Sequence, residues 1–339
     1  MALEQHATYR EIVTQTNAWA QALERALSVE LGQVAGTYDH VLFTGCGSTY
    51  YLSLAAAALY QELTGVPARA VPGSELLLNP GTVLTAERTL LVAVSRSGTT
   101  TETVRAAQRF KEEKRGPVIV ISNYDEQLSE FGDTAIIIPD GQEQSVVQTR
   151  SFASLYLAST ALAARMAGRA DLLQAMAALP AIGERLIGRY APWARDLGEQ
   201  LGLDRAYFLG SGMRHGLACE ATLKMKEMSL THSEAFHFLE FRHGPMSMAG
   251  KSTLIVGLLS ESSVRNEKAV LTEMQAFGAR ASSLAESQAD VCFDSGIPEP
   301  LRGVLYLPVL QLLAFHRSVA KGLNPDRPNH LTAVVKLDL

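Results

Sequence analysis

Glu220, Lys224 and Glu227 fall at i, i+4 and i+7 of a segment, about 216–228, that reads as a helix, so their three charges share one helix face. Such a face can hold a positioned base. Partial desolvation raises a carboxyl toward the working pH, where proton transfer is most effective, and a neighbouring ammonium opposes that shift. The competing interpretation is a solvated ion-pair stripe contributing about 0.3–0.5 kcal/mol per pair. Just downstream, His243 lies in Glu240-Phe241-Arg242-His243-Gly244-Pro245, a loop by its glycine and proline. A proton donor or acceptor in a loop can reach a substrate, although an isolated loop histidine is usually a surface residue. His232, His237 and His243 with Glu234 and Glu240 invite a metal reading, but their spacing fits neither HExxH nor the common zinc patterns, so no metal is expected.

A second chemistry belongs to two short loops, Gly45-Cys46-Gly47-Ser48-Thr49 and Ser95-Arg96-Ser97-Gly98-Thr99-Thr100. Each follows an apolar run and opens a helical segment. Glycines let the backbone come close to an anion, and a helix N-terminus directs N–H groups and partial positive charge toward it. The second loop adds the hydroxyls of Ser95, Ser97, Thr99, Thr100 and Thr101 and the guanidinium of Arg96, a cradle suited to a phosphate monoester. Thr99 with Glu102 also forms a capping-box pattern, the purely structural alternative. The loops are not a P-loop. They are not a dinucleotide fingerprint either: Tyr50 stands where the third glycine belongs, and Glu62 falls too early for a ribose contact.

The elements that must position these residues follow from hydrophobic periodicity. Residues 8–35 read as one long amphipathic helix, with Ile12, Trp19, Leu23, Leu27 and Leu31 on its apolar positions. Apolar runs at 41–43, 89–94, 117–121 and 135–138 then alternate with helical segments, including 49–63 and one ending near Glu113. Continuous apolar runs alternating with helices predict an α/β fold, a parallel sheet covered by helices on both faces. The second half repeats the first. Setting Gly210 on Gly45 gives an offset of 165, at which Phe43, Gly47, Leu52, Ala56, Glu62, Ala70, Glu75 and Pro80 meet Phe208, Gly212, Leu217, Ala221, Glu227, Ala235, Glu240 and Pro245. This predicts two copies of one fold. Ala55 and Leu59 are then the counterparts of Glu220 and Lys224, so the charged face lies where the first copy is apolar and buried, which favours function over a solvated stripe. The expected organisation is an N-terminal helix at 1–35, a first domain at 36–165, a helical linker at 166–195 and a second domain with a C-terminal tail at 196–339.

Composition narrows the remaining classes. The chain of 339 residues carries 30 basic and 35 acidic side chains, and a net charge of −5 argues against nucleic acid or a membrane as partner. Cys46, Cys219 and Cys292 form no CxxC pair and no disulfide framework, so a reducing, cytoplasmic setting is expected. The N-terminal residues from Met1 to His6 have no basic segment followed by an apolar one, and no unbroken apolar stretch reaches about 18 residues, so neither a signal peptide nor a transmembrane helix is expected.

Further motifs run through the chain: Arg10-Glu11-Ile12-Val13-Thr14-Gln15, Gly45 to Tyr50, Ser95-Arg96-Ser97-Gly98 with Thr100, Gly210-Ser211-Gly212, Glu220 to Glu227, His232 to Phe236, Glu240 to Pro245 and Gly322 to Pro328. In these the whole chain resembles the tandem SIS (sugar isomerase) domain family of phosphosugar isomerases and deaminases. It is similar to the isomerase half of glutamine–fructose-6-phosphate amidotransferase, to glutamine-independent glucosamine-6-phosphate deaminases and to tagatose-6-phosphate ketose/aldose isomerase-like proteins. The resemblance implies two tandem SIS domains, each a flavodoxin-like α/β/α sandwich, and an active site without cofactor. It puts the sugar phosphate on Ser48, Thr49, Ser95, Arg96, Ser97 and Thr100, with Gly47 and Glu143 lining the substrate. It makes Glu227 the base that moves a proton between C1 and C2, with Glu220 and Lys224 in support. It makes His243 the ring-opening residue, contributed across a homodimer interface. Gln148-Thr149-Arg150 stands where relatives carry a Ser-Thr-Lys-like run.

Two departures shape the expected activity. The chain has no glutaminase domain with an N-terminal cysteine nucleophile, so glutamine-dependent aminotransfer is not expected. In the tail, Ala333 occupies the position of a lysine that contacts the open-chain sugar in relatives that make or break the C–N bond; Lys336 is three residues further and, in an extended tail, points to the other side. The expectation is therefore aldose–ketose isomerisation of a hexose or hexosamine 6-phosphate, with isomerising deamination of glucosamine 6-phosphate as the alternative. A non-catalytic sugar-phosphate sensor is the third reading; it would need the phosphate loops but not Glu227 and His243, and no helix-turn-helix precedes residue 41.

Overall fold

In a computed structural model the chain is described over residues 3–338 apart from 33, 35, 37 and 86. Met1 and Ala2 of the N-terminal reading, and residues 33 and 35 of the helix expected over 8–35, lie outside the described residues. The helices are α1 (Ala7–Val13), α2 (Gln15–Ser28), α3 (Ser48–Thr64), α4 (Gly73–Leu78), α5 (Pro80–Val83), α6 (Thr101–Glu112), α7 (Arg150–Met166), α8 (Ala170–Met176), α9 (Leu179–Gly198), α10 (Met213–Ser229), α11 (Val264–Ala276) and α12 (Gly303–Ala320). The strands make two parallel five-stranded sheets. The first contains β1 (His40–Gly45), β2 (Ala68–Pro72), β3 (Thr89–Ser95), β4 (Val118–Ser122) and β5 (Thr134–Ile137), in the order β2-β1-β3-β4-β5. The second contains β6 (Arg205–Gly210), β7 (His232–Phe236), β8 (Thr253–Leu258), β9 (Arg280–Ala285) and β10 (Val291–Cys292), in the order β10-β9-β8-β6-β7. Read from the β7 edge, that is the same 2-1-3-4-5 winding, which places a ligand crevice at the carboxyl ends of each sheet's first and third strands.

The predicted duplication is exact in the backbone over the elements that matter. The ranges of β1 and β6, and those of α3 and α10, are offset by 165 at both ends. Every residue of β1, β3, β4 and β8 is buried, as parallel strands covered on both faces require. The helix starts after β1 and β6 use glycines with φ +58°, Gly47 and Gly212, at nearly the same ψ of −123° and −134°. That left-handed conformation disfavours any side chain.

The chain divides into two compact units, and their boundaries differ from the expected domains. One unit comprises Thr14–Glu143, Gln148–Ala177 and Thr332–Leu339, around the first sheet. The other comprises Met1–Val13, Gln144–Val147 and Ala178–Leu331, around the second. The helix expected over 8–35 is broken at Thr14 and ends at Ser28, where Val29 turns extended. Its two pieces serve different cores: α1 packs on α12, and α2 on α7. One straight amphipathic stripe could not satisfy both. The segment expected as a linker likewise divides, with α8 in the first-sheet unit and α9 in the second. The C-terminal residues from Thr332 group with the first sheet instead of the second.

Each core is apolar and contiguous. Leu42, Leu91, Phe110 and Val120 centre the first, and Tyr207, Phe241, Ile255 and Val270 the second. Among the described residues one helix, α12, is long and apolar enough by composition to cross a membrane; 89% of it is buried inside the fold, packed on α9 and α10.

Candidate active site

In the second-sheet unit the charged face of α10 is buried. Glu220 and Lys224 are each 1% exposed, as apolar Ala55 and Leu59 are buried at the corresponding places on α3. The Lys224 ammonium lies 3.2 Å from Glu220 Oε1 and 2.6 Å from Glu227 Oε2. Burial pulls the Lys224 pKa down, but the two carboxylates outweigh it and hold the group above its ordinary value, so Lys224 is a fixed cation. Glu227 is the member that reaches solvent, with a side chain 20% exposed. The arrangement is a carboxylate presented at a surface and oriented by a buried ammonium, which is itself braced from behind by a second carboxylate. This can accept and return a proton at one place. It is not the solvated stripe of the alternative interpretation.

His243 is exposed, at the end of a short turn over Glu240–Arg242. The loop that presents it is pinned by the two residues that precede it. Phe241 is fully buried against Tyr207 and Phe236, and Arg242 bonds Glu273 at 2.7 Å. Gly244, at φ +126°, turns the chain directly after it. The other histidines disperse: His232 faces Glu234 at 3.8 Å, and His237 stacks on His215 with ring centroids 4.0 Å apart. Burial and the neighbouring His237 push the His215 pKa down to about 4.

In the first-sheet unit the two loops stand at the carboxyl ends of β1 and β3. Gly45 is obligatory, since a Cβ there would meet the Thr49 hydroxyl at 2.6 Å. That hydroxyl closes its own loop, accepting from the Cys46 N–H at 2.9 Å and donating to the Cys46 carbonyl at 3.0 Å, while Ser48 is buried beside it. In the second loop, Ser95 Oγ accepts the Gly98 N–H, and the Thr99 and Thr100 hydroxyls lie 3.3 and 3.4 Å from Ser97 Oγ. The capping-box alternative fails here. The helix begins one residue later than that pattern requires, with Thr100 as the N-cap, and no side chain caps it. The hydroxyls are therefore gathered at an uncapped helix N-terminus, an arrangement suited to an anion.

Arg96 is buried, and its guanidinium donates to the Ala333 carbonyl at 2.5 Å and lies 3.6 Å from Glu143. Glu143 in turn is enclosed: its carboxylate accepts the backbone N–H groups of Thr149 and Ser151 and both their hydroxyls, fixing the start of α7. The structure thus ties Arg96, Glu143 and Ala333 into the framework behind the loop. Lys336 lines a cavity of about 490 Å³ that also includes Thr99, Thr101, Arg105 and Glu130.

One group escaped the sequence reading. At the carboxyl ends of β6 and β8, Arg214, Tyr306, Arg302, Glu261, Glu286 and Glu299 line a polar cavity of about 210 Å³. Arg214 bonds Glu299 and the Tyr306 hydroxyl, and Arg302 bonds Glu261 and Glu286. Behind these, Glu267 is bound to Ser260. The repeat held a signal for it, since Ser95 and Glu102 recur at the same offset of 165 as Ser260 and Glu267.

Comparison with known proteins bears on the family and the fold. Residues 38–166 match the family model described as SIS domain. The glutamine–fructose-6-phosphate aminotransferase (isomerizing) of Sulfolobus acidocaldarius is 32% identical over 74% of this chain and 42% of its own. That of Halobacterium salinarum is 30% identical over 98% of this chain and 59% of its own, so the chain spans about half the length of these curated relatives. Among solved structures, glucosamine-6-phosphate deaminase from Thermotoga maritima superposes with a TM-score of 0.80 at 28% identity, covering 98% of this chain and all of that one. Tagatose-6-phosphate ketose/aldose isomerase from Escherichia coli superposes with a TM-score of 0.81, covering 98% of this chain and 97% of its own; at 21% identity it speaks for the fold alone.

Proposed function

Because the chain belongs to the SIS-domain family of phosphosugar isomerases, we propose that it interconverts the aldose and ketose forms of a hexose or hexosamine 6-phosphate. The observation that carries this is the Glu220–Lys224–Glu227 triad, a costly buried charge cluster on a helix face that the first copy leaves apolar. In this reading the Ser97, Thr99 and Thr100 hydroxyls and the α6 N-terminus hold the phosphate. Glu227 removes the proton from C2 of the open-chain aldose and returns it to C1 of the enediol, while O1 gains a proton and the O2 hydroxyl gives one up, giving the ketose. One carboxylate performs both transfers at carbon, so no cofactor is called for. Lys224 orients Glu227 through their 2.6 Å contact, and Glu220 keeps Lys224 in place. The exposed loop position of His243 suits a residue that opens the sugar ring from a second copy of the chain, in a homodimer.

Isomerising deamination is the second reading. It is favoured by the full-length match to a glucosamine-6-phosphate deaminase. There the same proton transfer converts the 2-amino aldose to a 2-imino ketose, and water hydrolyses the C–N bond, releasing ammonia and the ketose phosphate. The chain is to be incubated with fructose 6-phosphate, with glucosamine 6-phosphate and with galactosamine 6-phosphate, and ammonia, ketose phosphate and aldose phosphate assayed together. Conversion of fructose 6-phosphate to an aldose phosphate supports the isomerase, and ammonia in step with ketose from an amino sugar supports the deaminase. No product from any of the three overturns the assignment to hexose or hexosamine phosphates.

A further inference from the structure

The two strand-end crevices start from the same parts and end differently. In both, a serine at the carboxyl end of the third strand takes the N–H of the residue three positions on: Gly98 N–H to Ser95 Oγ and Ser263 N–H to Ser260 Oγ, each at 3.0 Å. In both, a glutamate lies seven residues beyond that serine, Glu102 and Glu267. The length of the loop decides where the glutamate goes. After Ser95 the helix waits until Thr101, which places Glu102 in the second helical position. After Ser260 it begins at Val264, which places Glu267 in the fourth. Glu267 therefore folds back over the loop, where it accepts the Ser260 N–H at 2.6 Å and the Ser260 hydroxyl at 3.1 Å. It is 2% exposed; burial raises its pKa, and the two Ser260 hydrogen bonds and the Arg214 guanidinium oppose that rise. Glu102 makes no such contact. Its Oε2 is buried without a hydrogen-bond partner, and its charge acts on Cys46.

A backbone N–H and a serine hydroxyl converging on an oxyanion, with an arginine lining the same cavity, are the donors a phosphate would recruit. We propose that Glu267 is a built-in anion that closes the second-sheet crevice, so that this copy accepts no phosphate ester and each chain holds one sugar phosphate. The surrounding ions agree with a closed site: both arginines are already matched by Glu261, Glu286 and Glu299. The count of one per chain rests on the phosphate reading of the first crevice, whereas the role of Glu267 does not.

The test is chemical rescue of Glu267→Ala by small anions. Thermal unfolding of the wild-type chain and the variant is followed in an anion-poor buffer, and again with inorganic phosphate or acetate added. The variant is expected to melt lower and to regain about 4 °C at ~10-fold excess over the dissociation constant, beyond any gain of the wild type. Glu267→Gln, which still fills the loop with a neutral acceptor, is expected to show no extra gain. Equal anion response in wild type and Glu267→Ala overturns the proposal. Calorimetric titration of the wild-type chain with glucosamine 6-phosphate provides a measurement that needs no variant: two sites per chain also overturn it, and one site supports it. Anion rescue of Glu267→Ala with no site in the wild type keeps the role of Glu267 and refutes the phosphate reading of the first crevice.

Discussion

Replacing Lys224 by methionine separates what the buried triad does for the fold from what it does for chemistry. The ammonium is 1% exposed and contacts two carboxylates at 3.2 and 2.6 Å. Without it, Glu220, itself 1% exposed, loses the buried ammonium 3.2 Å from it, a loss expected to cost about 3–5 kcal/mol. Glu227, one-fifth exposed, is partly relieved by water and adds less. At about 2–4 °C per kcal/mol for a unit of this size, the second-sheet unit should melt roughly 10 °C lower. The double substitution Glu220→Leu/Lys224→Met removes both buried charges at similar volume. It is expected to recover the loss, because apolar replacements of a buried pair range from neutral to about 1–4 kcal/mol stabilising. The fold already accepts an apolar solution here, as Ala55 and Leu59 show in the first copy.

The chain carries only two tryptophans, Trp19 in α2 and Trp193 in α9. In a Trp19→Phe background, urea unfolding watched through Trp193 reports on the second-sheet unit. Both variants should lose at least about 100-fold in kcat/KM, since Glu227 no longer has its orienting cation. A Lys224→Met midpoint equal to that of the parent would refute the buried-triad account. So would a double variant destabilised as much as the sum of its parts.

Glu227→Gln is expected to lower kcat by at least about 100-fold while sugar-phosphate affinity stays within a few fold, read by steady-state kinetics and calorimetry. The equivalent α3 and α10 C-caps are both left-handed, Gly65 at φ +70° and Leu230 at φ +48°. Leu230 is 55% exposed, so Leu230→Gly should give up little burial and stabilise by roughly 0.5 kcal/mol, whereas Gly65→Ala should cost about 1 kcal/mol, both read by urea midpoint. His215 and His316 are pushed down to about 4 by burial, so below pH 6.5 the unfolded chain takes up protons that the folded chain refuses until about 4. Stability should therefore fall as pH drops from 6.5 to 4, and His215→Phe should flatten that slope in the urea midpoints.

Periodicity and repetition made the sheets legible, because parallel strands buried on both faces leave continuous apolar runs such as Thr89–Val94. The charged face of α10 was legible for a subtler reason: the first copy acts as an internal control that reports which face the fold buries. What stayed hidden depended on partners distant in sequence. A 28-residue amphipathic pattern does not say that its stripe is divided between two cores at Thr14. Nor does Glu143 announce that its carboxylate gathers the amides and hydroxyls of Thr149 and Ser151. Thr99 and Glu102 match the capping-box spacing, yet the helix starts a residue later, since Gly98 at φ +67° lengthens the loop.

That loop length accounts for the divergence of the copies. In the second copy a shorter loop carries the glutamate into the anion position; in the first, two additional residues before the helix leave Glu102 beside Cys46 and the hydroxyls of Ser97, Thr99 and Thr100 exposed to an incoming group. The helices diverge in the opposite sense, with α3 apolar at Ala55 and Leu59 where α10 buries an ion triad. A buried triad is expensive to maintain, and an anion loop left open forgoes the stabilisation that a folded-back carboxylate supplies. Each copy bears one of these costs and avoids the other. A duplicated fold that kept both features in both halves would hold two complete sets; here the buried ion triad and the open hydroxyl loop are each present once, as the proposed division between proton transfer and phosphate binding requires.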